Sequence, residues 1–207
     1  MLLYTYGCYP IYKYELPNTV YIWYIVMKRL ETERLILRDW RLDDLDDLYE
    51  YAKNKSFGVL TGWKSHENKE ESAKALDGFI SDTKNDRFAI VLKNTGKVIG
   101  AVNLSPDENR GKYYAKYINY VLGADYWGSG YMTEAIRRMI RYAFEELNID
   151  LLSAFHYPHN VRSKHVIERC GFEYEITIKQ GATIYDGQVF DTVCYSLFKD
   201  QYFFDRT

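Results

Sequence analysis

Tyr120-Val121-Leu122-Gly123-Ala124-Asp125-Tyr126-Trp127-Gly128-Ser129-Gly130-Tyr131-Met132-Thr133-Glu134-Ala135 is the stretch on which the reading turns. A strand-like run ends at Leu122, and a turn with two closely spaced glycines follows. A long helix then begins, with Met132, Ala135, Ile136, Met139, Ile140, Ala143 and Leu147 on one face and Glu134, Arg137, Arg138, Arg141 and Glu145 on the other. Gly128 and Gly130 let the backbone bend tightly and approach a ligand closely. The first N–H groups of the helix have no partner inside it and carry the positive end of its dipole. Together these features predict an anion site suited to a pyrophosphate. The spacing is neither the dinucleotide G-x-G-x-x-G nor a phosphate loop ending in G-K-[ST], and no lysine is placed between phosphates. On its own, the glycine pair also fits a simple tight connection.

Working outward, residues 34–38 read as a strand. Asp43 and Asp44 open a helix to about Lys53, with Leu45, Leu48, Tyr49 and Ala52 on one face. Residues 57–64 are loop-like. Asn68 and Glu71 have capping-box spacing ahead of a second helix carrying Ala73, Leu76, Phe79 and Ile80. Residues 87–92 and 97–104 form a hairpin about Asn94-Thr95-Gly96, residues 105–112 a polar loop, and residues 115–122 the next strand. After the long helix come a short buried strand at 151–155 and a helix from Asn160 to Gly171, where glycine suits the left-handed position that ends a helix. Strands at 173–179 and 189–199 follow, joined at Asp186-Gly187. Strands interleaved with helices, plus an antiparallel hairpin, predict an α/β (α+β) domain with a mixed sheet between two helical layers.

The 207 residues suit one domain, residues 28–207, preceded by an extension, residues 1–27. Apolar residues make up 47% and charged residues 27%, as in soluble globular proteins. The 21 tyrosines suggest many half-buried rings with a wet hydroxyl. A net charge of -2 without a long block of one sign excludes a basic footprint for nucleic acid. Cys8, Cys170 and Cys194 are odd in number, none forms C-x-x-C, and no credible secretory signal precedes them. The expectation is free thiols in a reducing cytoplasm. The tyrosine-rich extension contains Pro10 and Pro17. Its apolar run at residues 20–26 is far shorter than the roughly 20 residues a membrane helix needs. An added strand or a poorly ordered arm is expected there, with Met27 as a second candidate start.

About thirty residues beyond the glycine turn come Asn160-Val161-Arg162-Ser163 and then Cys170-Gly171-Phe172. With these the chain resembles a GNAT acyltransferase, of the branch that includes the ribosomal-protein N-terminal acetyltransferases. Trp127-Gly128-Ser129-Gly130-Tyr131 matches that branch's W-G-x-G-Y pyrophosphate loop, and Asn160-x-x-Ser163 with Gly171-Phe172 matches its later cofactor-side segment. Residues 30–38 resemble its first strand. Tyr185-Asp186-Gly187, Asp191-Thr192 and Tyr195-Ser196-Leu197 resemble its closing hairpin. The resemblance runs from about residue 28 to 200. It implies acetyl transfer from acetyl-CoA to a primary amine. The N–H groups of Gly128, Ser129, Gly130, Tyr131, Met132 and Thr133, next to Trp127, would hold the pyrophosphate. Tyr120, Val121 and Leu122 would pair by main chain with the pantetheine arm, in a gap between this strand and residues 151–155. Asn160 and Ser163 would meet the thioester end, although Asn160 also reads as a plain helix cap. Arg137 or Arg138 would reach a phosphate or lie on a solvated face.

The implied reaction needs a group to take the amine's proton, donors for the oxyanion and an acid for the leaving thiolate. Family members often carry that acid as a tyrosine seven residues after the asparagine; here the position is Ile167. Ser163 is the substitute candidate, with ordinary helix-start bonding as its plainer role. The family's usual acidic residue on the fourth strand is replaced by Tyr117. His156 and His159, at the end of strand 151–155, are candidates to relay a proton. Glu134 would support the helix start. Trp63, within residues 57–64, would help form the acceptor site. No metal-ligand constellation and no covalent triad stands out. The acceptor implied first is a protein N-terminal α-amine. The alternatives are a small amine (amino acid, polyamine or aminoglycoside) and, in another class, a CoA-binding module without catalysis. A homodimer using Tyr202-Phe203-Phe204 or the first 27 residues is a further expectation, and no membrane partner is.

Overall fold

The computed structural model describes residues 28–204, together with the backbone of three earlier strands. Those are β1 (Leu2–Tyr6), β2 (Tyr9–Leu16) and β3 (Val20–Ile25), which pair antiparallel in sequence order. Cys8, Met27 and the side chains of the apolar run at 20–26 lie outside the described residues.

The domain then runs β4 (Arg29–Glu31), β5 (Leu35–Arg38), α1 (Leu45–Ala52), α2 (Phe57–Thr61), α3 (Lys69–Ser81), β6 (Asp86–Leu92), β7 (Val98–Pro106) and β8 (Ala115–Leu122). After these come α4 (Tyr131–Arg141), β9 (Leu151–His156), α5 (Val161–Arg169), β10 (Glu173–Thr183), β11 (Val189–Phe198) and α6 (Lys199–Phe204). Eight strands form one sheet in the order β10-β11-β9-β8-β7-β6-β5-β4. Neighbours are antiparallel except β8 and β9. This is the mixed sheet that the order of elements predicts, with all but one of its pairings antiparallel.

Strand alternation assigns each face its layer. Phe88, Ile90, Val102, Leu104, Ile118 and Leu122 pack with the α4 residues Met132, Ala135, Ile136, Met139 and Ile140 and with Ile167 of α5. Ala89, Val91, Ala101 and Val121 pack on the other face with Leu48 and Ala52 of α1, Phe57 of α2 and Leu76 of α3. Helices therefore cover both faces.

The one parallel ladder decides where a site can be. It contains three pairs, Ala115↔Leu151, Lys116↔Leu152 and Tyr117↔Ser153, and then β8 and β9 part. On its other side β8 stays paired with β7 out to Gly100↔Leu122. Gly123 N–H bonds Ile99 O at 2.8 Å. That bond makes Leu122 and Gly100 a pair that exchanges no hydrogen bonds with each other. The main-chain groups of Leu122, and by alternation those of Tyr120, therefore face away from β7 into the gap. An edge of this kind inside a sheet offers backbone donors and acceptors to a ligand.

Several elements differ from the sequence reading, among them β4 and the C-terminal helix α6, which it did not contain. Residues 57–61 are helical rather than loop. Phe57 is buried against Tyr51, Trp63 and Trp127, and this long-range packing overrides the weak helix preference of a short segment containing Gly58. Gly62 ends that helix at φ 85°, where a side chain would also strike the Tyr157 hydroxyl. The long helix is α-helical only to Arg141 and closes with a π turn, Tyr142–Glu146, from which the Tyr142 hydroxyl donates to buried Asp86 at 3.2 Å. β10 extends to Thr183 past a bulge, because Asp191 accepts both the Gln180 N–H and the Lys179 ammonium across the hairpin.

Candidate active site

The glycine turn and the start of α4 form the first part of the site. Gly128 and Gly130 have φ 78° and 79°, the left-handed backbone region that favours glycine. A methyl group added at Gly128 would meet nothing within 4 Å, so the hollow before the loop is open. Glu134 N–H closes the first helical turn on Gly130 O at 3.0 Å, and no side chain caps the helix among the described residues. The N–H groups of Tyr131, Met132 and Thr133 therefore point out of the helix end, as an anion site requires.

A clamp to the first strands holds this loop in shape. The Glu134 carboxylate accepts from Thr32 Oγ1 at 2.5 Å, Arg34 N at 2.9 Å and Arg34 Nε at 2.6 Å. Arg34 NH1 donates to Ser129 O at 3.0 Å, and its guanidinium lies 4.4 Å from the centre of the Tyr131 ring. Burial alone would raise the Glu134 pKa; the Thr32 and Arg34 hydrogen bonds outweigh it and hold the carboxyl below its ordinary range. Glu134 thus supports the helix start as expected. Its partners sit about 100 residues away, where sequence reading had no signal for them.

Trp127 joins three elements. Its indole N–H donates to Leu122 O at 2.9 Å, its ring meets Phe57 edge-on at 6.3 Å, and Arg162 of α5 stacks over it at 4.5 Å. Asn160 is likewise committed twice. Its Oδ1 accepts from Ser163 N at 3.1 Å, the helix cap, and its Nδ2 donates to Leu60 O at 3.0 Å. His159 Nε2 donates to Val59 O at 2.8 Å. The start of α5 is therefore tied to α2 directly. Arg137 and Arg138 are engaged elsewhere, with Arg169 O and Glu146.

One cleft of about 810 Å³ runs through the gap. Ile118, Tyr120 and Leu122 line it from one face of β8, with the glycine turn and α5. Tyr117, Asn119 and Val121 line it from the other face, with Tyr51, Phe57, Trp63, His66 and Phe79. On the α5 side the Tyr120 hydroxyl lies 2.9 Å from Ser163 Oγ and 3.3 Å from Ser163 O. Burial raises the Tyr120 pKa, with the Ser163 hydrogen bond opposing, so the phenol keeps its proton. Ile167 is 1% exposed and belongs to the core, so its position reaches no ligand.

The other sequence candidates are distributed as follows. Tyr117 is half-buried, stacks on Phe155 at 5.3 Å and has its pKa raised by desolvation of the phenol. His156 lies beside Tyr195; its Nδ1 donates to Tyr157 O at 2.8 Å, and burial lowers its pKa. Trp63 lines the α1–α3 side, 6.0 Å from Phe57 and 5.4 Å from His66. His66, which sequence reading missed, has Nδ1 2.7 Å from Ser72 Oγ, and burial lowers its pKa against the opposing charge of Glu71.

The acetyltransferase (GNAT) domain model matches residues 34–173. The chain belongs to the GNAT family. The ribosomal protein uS5-alanine N-acetyltransferase of Escherichia coli is 32% identical over 183 residues, 82% of this chain and 90% of that one. N-acetyltransferase p20 of Bacillus licheniformis is 28% identical over 180 residues, 85% and 99% of the two chains. The crystal structure of the microcin C7 self-immunity acetyltransferase MccE, in complex with acetyl-CoA and AMP, has a TM-score of 0.71 at 26% identity, covering 81% and 93%. This GNAT protein is accordingly an N-acetyltransferase with acetyl-CoA as acyl donor. The open hollow, the uncapped helix start and the free edge of β8 fit that donor. None of the described helices is long and apolar enough to cross a membrane.

The clamp generates a test. Arg34→Ala raises the acetyl-CoA Kd about fivefold by calorimetry, roughly the 1 kcal/mol left to a part-exposed pair after solvent screening. Glu134→Gln does the same, and the double variant is no worse than either single one. Additive losses contradict a shared role.

Proposed function

We propose that the protein acetylates a protein N-terminal α-amine, which enters from the α1–α3 side and meets the donor at the gap between β8 and β9. The observation that carries this is the single cleft lined by both faces of β8. Donor and acceptor each have a side of the sheet, so both can be bound at once and react by direct attack. The acceptor half has aromatic walls, and no Asp or Glu is among the described residues that line the cleft. Polyamines and aminoglycosides carry several ammonium groups that would need such partners. A single amine on a neutral body fits, and the alanine N-acetyltransferase of E. coli is named for that kind of acceptor. Cys170 and Cys194 are free thiols, which suits a reducing cytoplasm.

Acetyl-CoA supplies a thioester carbonyl and a thiolate leaving group. The Gly128, Ser129, Gly130, Tyr131, Met132 and Thr133 N–H groups are the pyrophosphate donors in this reading. Tyr120 and Leu122 offer main-chain groups to the pantetheine, with the Leu122 N–H available to an oxyanion. Asn160 acts mainly by holding α5 against α2. Tyr120 and Ser163 share a proton for the leaving sulfur, in place of the missing tyrosine at Ile167. His66, its pKa lowered by burial and its ring lining the acceptor half, takes the amine's proton. His156, packed under α5, serves the donor side.

Thiol release over a panel of N-terminal peptides, amino acids, polyamines and aminoglycosides tests the acceptor. Turnover on peptides and none on the polycations is expected. Preferred turnover of a polyamine, or acetyl-CoA binding without turnover on any amine, contradicts the reading. Tyr120→Phe lowers kcat with acetyl-CoA on the order of 10²-fold, the usual worth of a general acid. With an acetyl aryl thioester, whose thiolate leaves unaided, the loss shrinks to a few-fold; equal losses on both donors refute the assignment. Because burial lowers the His66 pKa, its base form persists below the ordinary imidazole value of about 6.5. The acid limb of kcat/KM therefore falls below that value and disappears in His66→Gln; a limb unchanged in the variant assigns the base elsewhere.

A further inference from the structure

The floor of the acceptor half carries a polar row that no step above uses. In the sheet register Arg87 of β6 stands opposite Asn103 of β7, and Asn103 stands opposite Asn119 of β8. All three line the cleft. The Asn103 side chain uses one end only. Its Nδ2 donates to Ser105 Oγ at 2.9 Å and lies 3.4 Å from Asn119 Oδ1, while its Oδ1 is buried with no partner. Asn103 is 4% exposed. Arg87 is used in a similar way. Its NH2 donates to Asp82 at 3.2 Å and its guanidinium lies 4.8 Å from the centre of the Phe79 ring, while its Nε–H is buried without a partner. Buried polar atoms are nearly always paired. Here one unmet donor and one unmet acceptor occur on neighbouring strands at the wall of the same cleft. The Arg87 side chain keeps 26% of its exposure, so it is the member with room to turn toward an entering group.

A donor and an acceptor side by side match one residue of an extended backbone, whose own N–H and C=O point the same way, whereas the two polar groups of a single trans peptide unit point oppositely. We infer that Arg87 and Asn103 form a subsite for the second residue of the acceptor peptide, Asn103 Oδ1 accepting its N–H and Arg87 Nε donating to its carbonyl. The inference rests on the α-amine reading above and sharpens it. A free amino acid has no second residue and a simple alkylamine no backbone, so neither supplies the matching pair. The pair therefore selects peptides over amino acids, not merely α-amines over other amines. Arg87 and Asn103 act on binding and position; the proton transfers belong to other residues.

The test uses the full chain with acetyl-CoA and two matched acceptors, a short N-terminal peptide and its analogue with the first peptide N–H replaced by an ester oxygen. For the wild type the peptide KM is about tenfold below that of the ester, the usual scale for one buried hydrogen bond to a polar group. Asn103→Leu removes that preference with kcat changed less than threefold, and the isosteric Asn103→Asp, still an acceptor, keeps it. Arg87→Met raises KM for both acceptors. Calorimetry of the peptide on the CoA complex follows the same order, while the acetyl-CoA Kd stays within twofold and certifies the fold of each variant. Peptide turnover with no preference over the ester, or a preference that survives Asn103→Leu, overturns the subsite and leaves the α-amine reading standing. No peptide binding or turnover by the wild type overturns both.

Discussion

The ladder between β8 and β9 stops after Tyr117 and Ser153, and the consequences reach most of the site. Within an otherwise continuous sheet, Tyr120 and Leu122 present main-chain groups to a gap instead of a strand. Residues on both faces of β8 then line a single cleft. Two substrates on opposite sides of a sheet would ordinarily be separated by it; in the proposed reading the missing pairs let them meet. Tyr117 stacks on Phe155 on one face, and Tyr120 bonds Ser163 of α5 on the other.

The two halves of the cleft differ in electrostatics, and the difference follows from local structure. On the donor side a helix start without a side-chain cap supplies N–H groups and a positive dipole end. The carboxylate in its first turn, Glu134, is paired with Arg34, which also fixes the Ser129 carbonyl. The proposed acceptor side is aromatic, with a polar floor and an imidazole, His66, whose pKa burial lowers. Such a half suits an amine that arrives on a neutral body. The Asn160 amide couples the two sides, capping α5 with one end and holding Leu60 of α2 with the other. Tyr202, expected at a dimer contact, stacks on Phe144 and donates to Glu145 within its own chain.

The donor half was the more legible in the sequence because its parts are local. A strand end, two glycines and a helix start lie within sixteen consecutive residues, and the cap at Asn160 with Ser163 spans four. The acceptor half depends on register and on long-range packing. That residues 57–61 coil into a helix follows from the burial of Phe57 against Trp127, seventy residues on. Strand parity shows that Tyr117 and Tyr120 point to opposite faces, but which face meets α5 is fixed only by the folded sheet. The hairpin about residues 94–96 made the pairing of Arg87 with Asn103 readable, but not that each would hold an unpaired polar atom at a cleft wall. Arg34 was invisible because its partner Glu134 lies one hundred residues away.

The central claim is that donor and acceptor approach β8 from opposite faces and meet where β9 leaves it. A crystal structure with a bisubstrate conjugate, CoA joined through an acetyl bridge to the α-amine of a short peptide, tests it most directly. The account predicts the pyrophosphate at residues 128–133, the pantetheine amides on the main chain of Tyr120 and Leu122, and the peptide on the side of Trp63 and His66. A conjugate with both halves on one face of the sheet, or with its CoA moiety outside the gap, would contradict it.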